Sequence, residues 1–257
     1  MELKKQYGLI GKSLSHSFSK NYFETKFSDI LLFPNHSYNL FEIPNLKEHF
    51  FNLILKKHPL GLNVTVPYKE EIIPFLDSLS IEAEKIGAVN VIKIDYNSHK
   101  PILKGYNTDC FGFESSITPL LKPWHTHALI LGTGGASLAV GFVLKKLGIE
   151  HTYVSRTKNG KNIISYHEIS NEVIENNLII INATPVGMYP KTNTSALDVN
   201  KYEKVTSKHL FYDLIYNPHK TEFLKHAEEK GASIKNGLNM LYYQAEKSWD
   251  IWSNENI

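Results

Sequence analysis

The sequence predicts an α/β protein of two domains, the second a doubly wound parallel sheet, and three observations carry that prediction. From Ala128 onward short apolar runs recur, at Ala128 to Leu131, Thr152 to Val154, Leu178 to Ile181, Leu210 to Leu214 and Ser233 to Ile234, with stretches between them long enough for crossover helices. The first of these runs leads straight into Gly132-Thr133-Gly134-Gly135-Ala136, three glycines in four positions ahead of a helical pattern over Ser137 to Leu147. A chain of 257 residues can bury one large core or two ordinary ones.

Composition narrows the classes further. With 42% hydrophobic and 21% charged residues the chain reads as globular. A formal net charge of +2, with lysines spread along the chain, predicts neither a nucleic-acid nor a membrane-surface partner. Met1 to Lys5 lacks the apolar segment of a leader, and no run approaches the roughly 20 apolar residues of a membrane helix, so a cytoplasmic protein is expected. Cys110 is the only cysteine, which forbids an internal disulfide and fits a reducing compartment. It reads as a packed side chain, since the neighbouring Asp109 opposes a thiolate. Twelve histidines include no H-E-x-x-H pattern, and His125-Thr126-His127 lies in a Pro-led connection, so no metal is expected.

In chain order, Tyr7 to Ile10 forms a first strand ending at Gly11. Four serines follow within seven residues, Ser13 to Ser19, more than the helix cap before Phe18, Tyr22, Phe23 and Phe27 requires. A loop lined by hydroxyls suits a polyhydroxylated ligand. A strand at Tyr38 to Phe41 precedes a helix from Pro44 to Lys57 with Leu46, Phe50, Leu53 and Ile54 on one side. Gly61 to Pro67 alternates, with Asn63 and Thr65 on one face and Leu62, Val64 and Val66 on the core face. Pro67 stops this strand and opens a helix carrying Lys69, so Asn63, Thr65 and Lys69 gather at one strand end. Asn90 interrupts the apolar strand Ala88 to Ile94. Ile102 to Gly105 leads to Tyr106-Asn107-Thr108-Asp109, where Asp109 is placed to cap a helix beginning near Phe111 and the first domain ends.

In the second half Gly132, Gly134 and Gly135 leave the backbone free to turn and to approach a pyrophosphate at a helix N-terminus, with Ser137 where a third spaced glycine would stand. His151 to Val154 leads into Ser155-Arg156-Thr157, where folds of this kind place an acid on ribose hydroxyls or an arginine on a 2′-phosphate. Arg156 is the only arginine among 28 basic residues, and its planar fork suits a phosphate. The second domain therefore reads as NADP-binding, with Lys158 and Lys161 as auxiliaries. Asn182 to Met188 follows a strand at its C-terminal end, where ligands bind in such sheets, and brings Thr184 there. After a helix through Thr221 to Lys230, a last helix runs from about Leu238 to Trp252. Met240, Leu241 and Gln244 lie within about one turn, so one edge could line a cleft. Trp249 and Trp252 fit either a core or an interface.

Taken together, the segments Ser15 to Ser19, Asn63 to Lys69, Gly87 to Asn90, Asn107 to Asp109, the glycine turn, Ser155 to Thr157, Asn182 to Met188, Asp213 to Thr221 and Gly237 to Gln244 resemble the shikimate dehydrogenase family, in order and over nearly the whole chain. The resemblance implies that Ser17, Ser19, Asn63, Thr65, Asn90, Asp109 and Gln244 bind shikimate with Tyr216 near its carboxylate, and that Lys69 and Asp109 form the catalytic pair. It implies NADP held by Gly132, Thr133, Gly134, Gly135, Ala136, Ser155, Arg156, Thr157, Thr184, Gly237 and Met240. The implied domains are residues 1–108 plus 238–257 for substrate and catalysis and 109–237 for NADP, with a cleft between them and the C-terminal helix packing back on the first. The implied reaction is reversible NADPH-dependent reduction of 3-dehydroshikimate to shikimate, a step toward aromatic amino acids, by a monomer or homodimer. Departures from the usual family pattern are Lys20 for a proline, Tyr68 for a histidine, Cys110 for a glycine and Ser155 for an asparagine. Two alternatives stand beside this reading. One is a relative that also uses quinate or NAD; Arg156 argues against NAD, while the shared polyol site does not separate the two substrates. The other is a non-catalytic NADP-binding sensor, which the presence of both Lys69 and Asp109 argues against.

Overall fold

A computed structural model describes residues 4–14, 17–32, 34–157, 160 and 162–254; Ser15, His16, Lys158 and Lys161 lie outside the described residues. The chain divides into two compact units, Met1–Thr108 with Ala245–Ile257, and Asp109–Gln244. Each is built on a six-stranded sheet, and the expected α/β class holds.

In the first unit the chain runs β1 (Lys5–Gly11), α1 (Phe18–Asp29), β2 (His36–Glu42), α2 (Leu46–Lys57), β3 (Gly61–Val64), α3 (Tyr68–Glu71), β4 (Ser78–Leu79), α4 (Ile81–Ile86), β5 (Val91–Asp95) and β6 (Ile102–Tyr106). Sheet order is β2-β1-β3-β5-β6-β4. The β1 pairings are parallel, whereas β5 runs antiparallel to both β3 and β6. Asn45 caps α2 by accepting the Glu48 N–H at 3.4 Å, so the helix starts at Leu46 and not at Pro44. The strand through Asn63 ends at Val64, and Val66, expected on the core face, is 72% exposed in the turn beyond it. Asn90 stands just ahead of β5 instead of inside it.

Alternation then sorts the side chains onto two faces of this sheet. Ile10, Phe50, Ile54, Leu62, Val64 and Leu103 pack on one face. Tyr7, Phe23, Phe27, Tyr38 and Tyr106 pack on the other, together with Ala245, Ile251 and Trp252 of the last helix. Trp252 is 7% exposed, and its indole N–H donates to the Ile92 carbonyl at 3.1 Å. Trp252 is therefore a core residue, and the partly buried Trp249 packs against the same cluster, edge-on to Tyr7 at a ring separation of 5.7 Å.

The second unit contains α5 (Asp109–Ile117), β7 (His127–Leu131), α6 (Gly135–Lys146), β8 (Glu150–Ser155), β9 (Ile163–Ser165), α7 (Asn171–Asn176), β10 (Ile179–Asn182), β11 (Leu210–Asp213), α8 (Glu222–Glu229), β12 (Ser233–Lys235) and the start of α9 (Leu238–Ser253). The sheet is parallel throughout, in the order β12-β11-β10-β7-β8-β9. That is the dinucleotide-binding order, and the winding reverses between β7 and β10. Two local expectations shift. Asp109 is the first residue of α5 and not a cap for a helix from Phe111, and α6 begins at Gly135 and not at Ser137. The apolar pattern contains no counterpart of β9, because three residues are too few to display a period.

Trp252→Ala should lower the stability of the first unit by about 3–5 kcal/mol, the usual cost of emptying an aromatic core position. Trp252→Phe should cost less, about 1 kcal/mol, by removing the indole hydrogen bond to the Ile92 carbonyl, which keeps its place in the β3–β5 ladder. Urea transitions followed by circular dichroism measure both, and unmoved midpoints would detach the C-terminal residues from this core.

Candidate active site

In the first unit the expected site residues collect around a buried amide. Asn63 accepts the Tyr38 hydroxyl on Oδ1 at 2.7 Å, and its Nδ2 donates to the Asn90 carbonyl at 3.3 Å and to Ser248 Oγ at 3.1 Å. Burial pushes the Tyr38 pKa far above its ordinary value, against a hydrogen bond from the Ser19 side chain that pulls it down, so the hydroxyl stays neutral and keeps its proton to donate. Asn90 Nδ2 donates to Thr108 Oγ1 at 3.0 Å while Asn90 Oδ1 accepts the Thr108 N–H at 2.7 Å. Ser17 caps α1, its side chain accepting the Ser19 N–H at 3.3 Å. The Thr65 N–H donates to the Ile10 carbonyl at 2.9 Å, which holds it beside the end of β1. Lys69 is half-buried, and its carbonyl accepts the Val89 N–H at 2.7 Å, fastening α3 next to Asn90. Tyr68, standing for the more usual histidine, is buried with its hydroxyl donating to the Ile43 carbonyl.

In the second unit the loops after β7 and β10 meet at the point where the winding reverses. Gly132 has φ +106°, closed to most side chains, and an added Cβ would come within 2.9 Å of Thr184 Cγ2. Gly134 precedes α6 with extended backbone, and a Cβ there would meet nothing within 4 Å. The helix N-terminus beside it is thus open to an anion, through Gly135 and Ala136 whose N–H groups have no intrahelical acceptor. Ser137 in the third-glycine position is fully buried, with its hydroxyl donating to the Gly134 carbonyl at 2.6 Å. Arg156 and Thr157 are exposed beyond β8, and Ser155 Oγ accepts the Thr157 N–H at 3.3 Å. An open helix N-terminus with an arginine after the second strand fits a dinucleotide bearing an additional phosphate.

One carboxylate ties the next two loops of this unit together. Asn182 Oδ1 accepts both the N–H and the hydroxyl of Thr184, at 3.0 and 2.6 Å, and Asn182 Nδ2 donates to Asp213 Oδ1 at 3.0 Å. Asp213 also accepts the Ile215 N–H at 3.0 Å and the Thr221 hydroxyl at 2.6 Å. Thr184 and the segment leading to Tyr216 therefore hang from the same buried group. Gly237 is required by close approach, because a Cβ would come within 2.0 Å of the Leu214 carbonyl oxygen. At the start of α9 Met240 is buried, and Gln244 Nε2 donates to the Leu241 carbonyl at 3.0 Å.

Tyr38, Thr108, Ser248, Asn182 and Asp213 belong to these networks although composition and periodicity do not single them out. His125, in contrast, is structural. Its Nδ1 accepts the Lys122 N–H at 3.1 Å, which leaves Nε2 to donate to the Lys208 carbonyl at 2.9 Å. Among the described residues no group of three or more His, Cys, Asp or Glu could hold a metal, and no helix is long and apolar enough to cross a membrane.

A parallel sheet in dinucleotide order with an open glycine turn, carried on one chain with a unit that presents amides and hydroxyls, defines a nicotinamide-type oxidoreductase. Comparison with known proteins narrows this class. Residues 9–92 match the family model described as shikimate dehydrogenase substrate binding domain. Shikimate dehydrogenase (NADP(+)) of Methanosphaera stadtmanae is 37% identical over 96% of this chain and 91% of its own. The crystal structure of shikimate dehydrogenase 1 from Peptoclostridium difficile superposes with TM-score 0.84 at 38% identity, covering 98% of this chain and 93% of that one. The chain belongs to the shikimate dehydrogenase family. The Thermus thermophilus enzyme, described in complex with NADP(H) and shikimate, superposes with TM-score 0.82 at 28% identity over 97% of this chain and 93% of its own. A quinate dehydrogenase from Corynebacterium glutamicum, in complex with NAD, shares the fold with the same TM-score at 26% identity over 97% of this chain and 94% of its own.

Burial pushes the Asp213 carboxyl up to about 6 from an ordinary 3.8, with its three hydrogen bonds opposing the shift. An unfolded aspartate releases its proton near 3.8 whereas the folded one keeps it to about 6, so folding takes up a proton between those values. The stabilisation is complete below the lower value and is lost as pH rises through the upper one. Asp213→Asn cannot titrate. Relative to the parent it should gain about 3 kcal/mol between pH 3.5 and 7 in urea midpoints. Parallel pH profiles for the two proteins would show that Asp213 titrates as an ordinary aspartate.

Proposed function

We propose that this protein catalyses the reversible NADPH-dependent reduction of 3-dehydroshikimate to shikimate. The observation that carries the reading is the cluster of Asn63, Asn90 and the Ser19-linked Tyr38 beside the anchored Lys69, found in a chain of this family. Amide and hydroxyl groups held without rotational freedom suit a ring bearing several hydroxyls, because each lost hydrogen bond then counts against a wrong substrate. We assign Ser17, Ser19, Asn63, Thr65, Asn90, Asp109 and Gln244 to the hydroxyls and Tyr216 to the neighbourhood of the carboxylate.

NADP, when bound, supplies the hydride chemistry. The pyrophosphate is assigned to Gly132 to Ala136, the 2′-phosphate to Ser155, Arg156 and Thr157, and the remainder of the cofactor to Thr184, Gly237 and Met240. As shikimate is oxidised its C3 hydroxyl also loses a proton. Lys69 takes that proton and returns it in the reductive direction, with Asp109 hydrogen-bonding the same region to orient the pair. We place the activity in the cytoplasm, in a monomer or homodimer without nucleic-acid or membrane partners. The modest charge and the lack of a membrane-length helix among the described residues support this.

The deciding assay follows nicotinamide absorbance with shikimate or quinate crossed against NADP and NAD. Turnover confined to shikimate and NADP is expected. Comparable rates with quinate or NAD would move the protein to the broader-specificity branch, and silence in all four would favour a sensor. Lys69→Ala should lower kcat roughly 10²- to 10⁴-fold with a smaller change in KM, and an unchanged kcat would remove Lys69 from the mechanism. Arg156→Ala should raise the KM for NADP far more than that for shikimate, because a charge-assisted phosphate contact is lost; equal changes would make the arginine structural.

A further inference from the structure

We infer that Ser248 and Tyr38 are positioning residues of the polyol site: together they fix which way the Asn63 amide faces. The inference rests on the shikimate reading of the first unit. Neither side chain acts on the reacting atoms in it.

The amide of Asn63 has one acceptable orientation. With Nδ2 toward Asn90 it donates to a carbonyl oxygen at 3.3 Å, whereas the flipped amide would set Oδ1 against that carbonyl, two acceptors face to face. Tyr38 and Ser248 complete the choice, the first donating to Oδ1 and the second accepting from Nδ2. Both N–H groups are then used, and one lone pair on Oδ1 is the hydrogen-bonding capacity left to Asn63 among the described residues. Held in this way, Asn63 meets a substrate only as an acceptor, and a hydroxyl must donate to it.

Ser248 is fully buried, and its hydroxyl also lies 3.2 Å from Thr108 Oγ1. Thr108 in turn holds both ends of the Asn90 amide, and Asp109 follows it in the chain. One hydroxyl thus joins the two candidate substrate amides.

The test is steady-state kinetics on the full chain with shikimate and NADP. Ser248→Ala and Tyr38→Phe should each raise the KM for shikimate about tenfold, the scale of one misplaced hydrogen bond, with the KM for NADP within about twofold of the parent. Ser248→Thr, which keeps the hydroxyl, should recover most of the loss. In an Asn63→Ala background Tyr38→Phe should add less than about twofold, because its effect passes through the missing amide. A general loss of folding would instead lower the active fraction without shifting the shikimate KM alone. An unchanged shikimate KM, equal changes in both KM values, or full additivity with Asn63→Ala would overturn the assignment. Should Ser248→Ala fail to fold, the Tyr38 and Asn63 cycle decides by itself. A parent protein with no shikimate turnover would instead overturn the reading of the site, and the inference with it.

Discussion

A polar side chain taken out of water at the end of a sheet must find partners for every donor and acceptor, and in both units of this protein that requirement shapes the candidate site. The strands that reach these positions are apolar along most of their length, with Leu62 and Val64 flanking Asn63 and Ile179 to Ile181 preceding Asn182. An asparagine at such a point costs on the order of 1–3 kcal/mol if left unpaired, so the surrounding chain is selected to answer it. Tyr38 and Ser248 answer Asn63, and Asp213 and Thr184 answer Asn182. The consequence is local rigidity. Loops that would otherwise be the least ordered parts of the molecule are tied to the strands through hydrogen bonds shielded from solvent.

How much of this was legible in the sequence depended on the distance over which each feature acts. The glycine turn and Ser-Arg-Thr are local, since backbone conformation and strand position within a few residues define them, and the structure places both at strand ends of a dinucleotide-type sheet. Asn63 stood out on the polar face of an alternating segment, and Asn90 as a polar interruption of an apolar run. Their partners could not be found that way, because Ser248 lies 185 residues from Asn63 and a lone serine in an amphipathic helix has no distinguishing pattern. Val66 failed for the opposite reason. Alternation is a rule of strands, and it was extended two residues past the place where the chain stops being one.

In the reading proposed above, the two units meet their ligands by different physical means. In the second, recognition falls largely on the backbone: an open helix N-terminus and a turn whose glycine has φ +106°. Backbone groups tolerate changes in neighbouring side chains, which is why a buried Ser137 can occupy the third-glycine position once its hydroxyl is satisfied by Gly134. In the first, recognition falls on side chains whose orientations are fixed by third parties. A site of that kind would discriminate better among polar ligands and be more easily damaged from a distance, since each amide depends on the hydrogen bonds of its protein partners.

Arg156 stands apart from both arrangements, and its exposure defines what it contributes. A buried arginine would need a permanent counter-charge in the empty protein, whereas an exposed one loses little solvation until a phosphate arrives. Its attraction is correspondingly modest and is weakened by salt. In the reading proposed above, what it adds is a difference between two otherwise similar cofactors, one with the 2′-phosphate and one without. A quinate dehydrogenase described in complex with NAD has the same fold, so the fold alone is no basis for this distinction. In the proposed reading that task falls to a planar fork of donors just beyond β8, the only arginine in a chain whose other basic residues, histidines apart, are lysines.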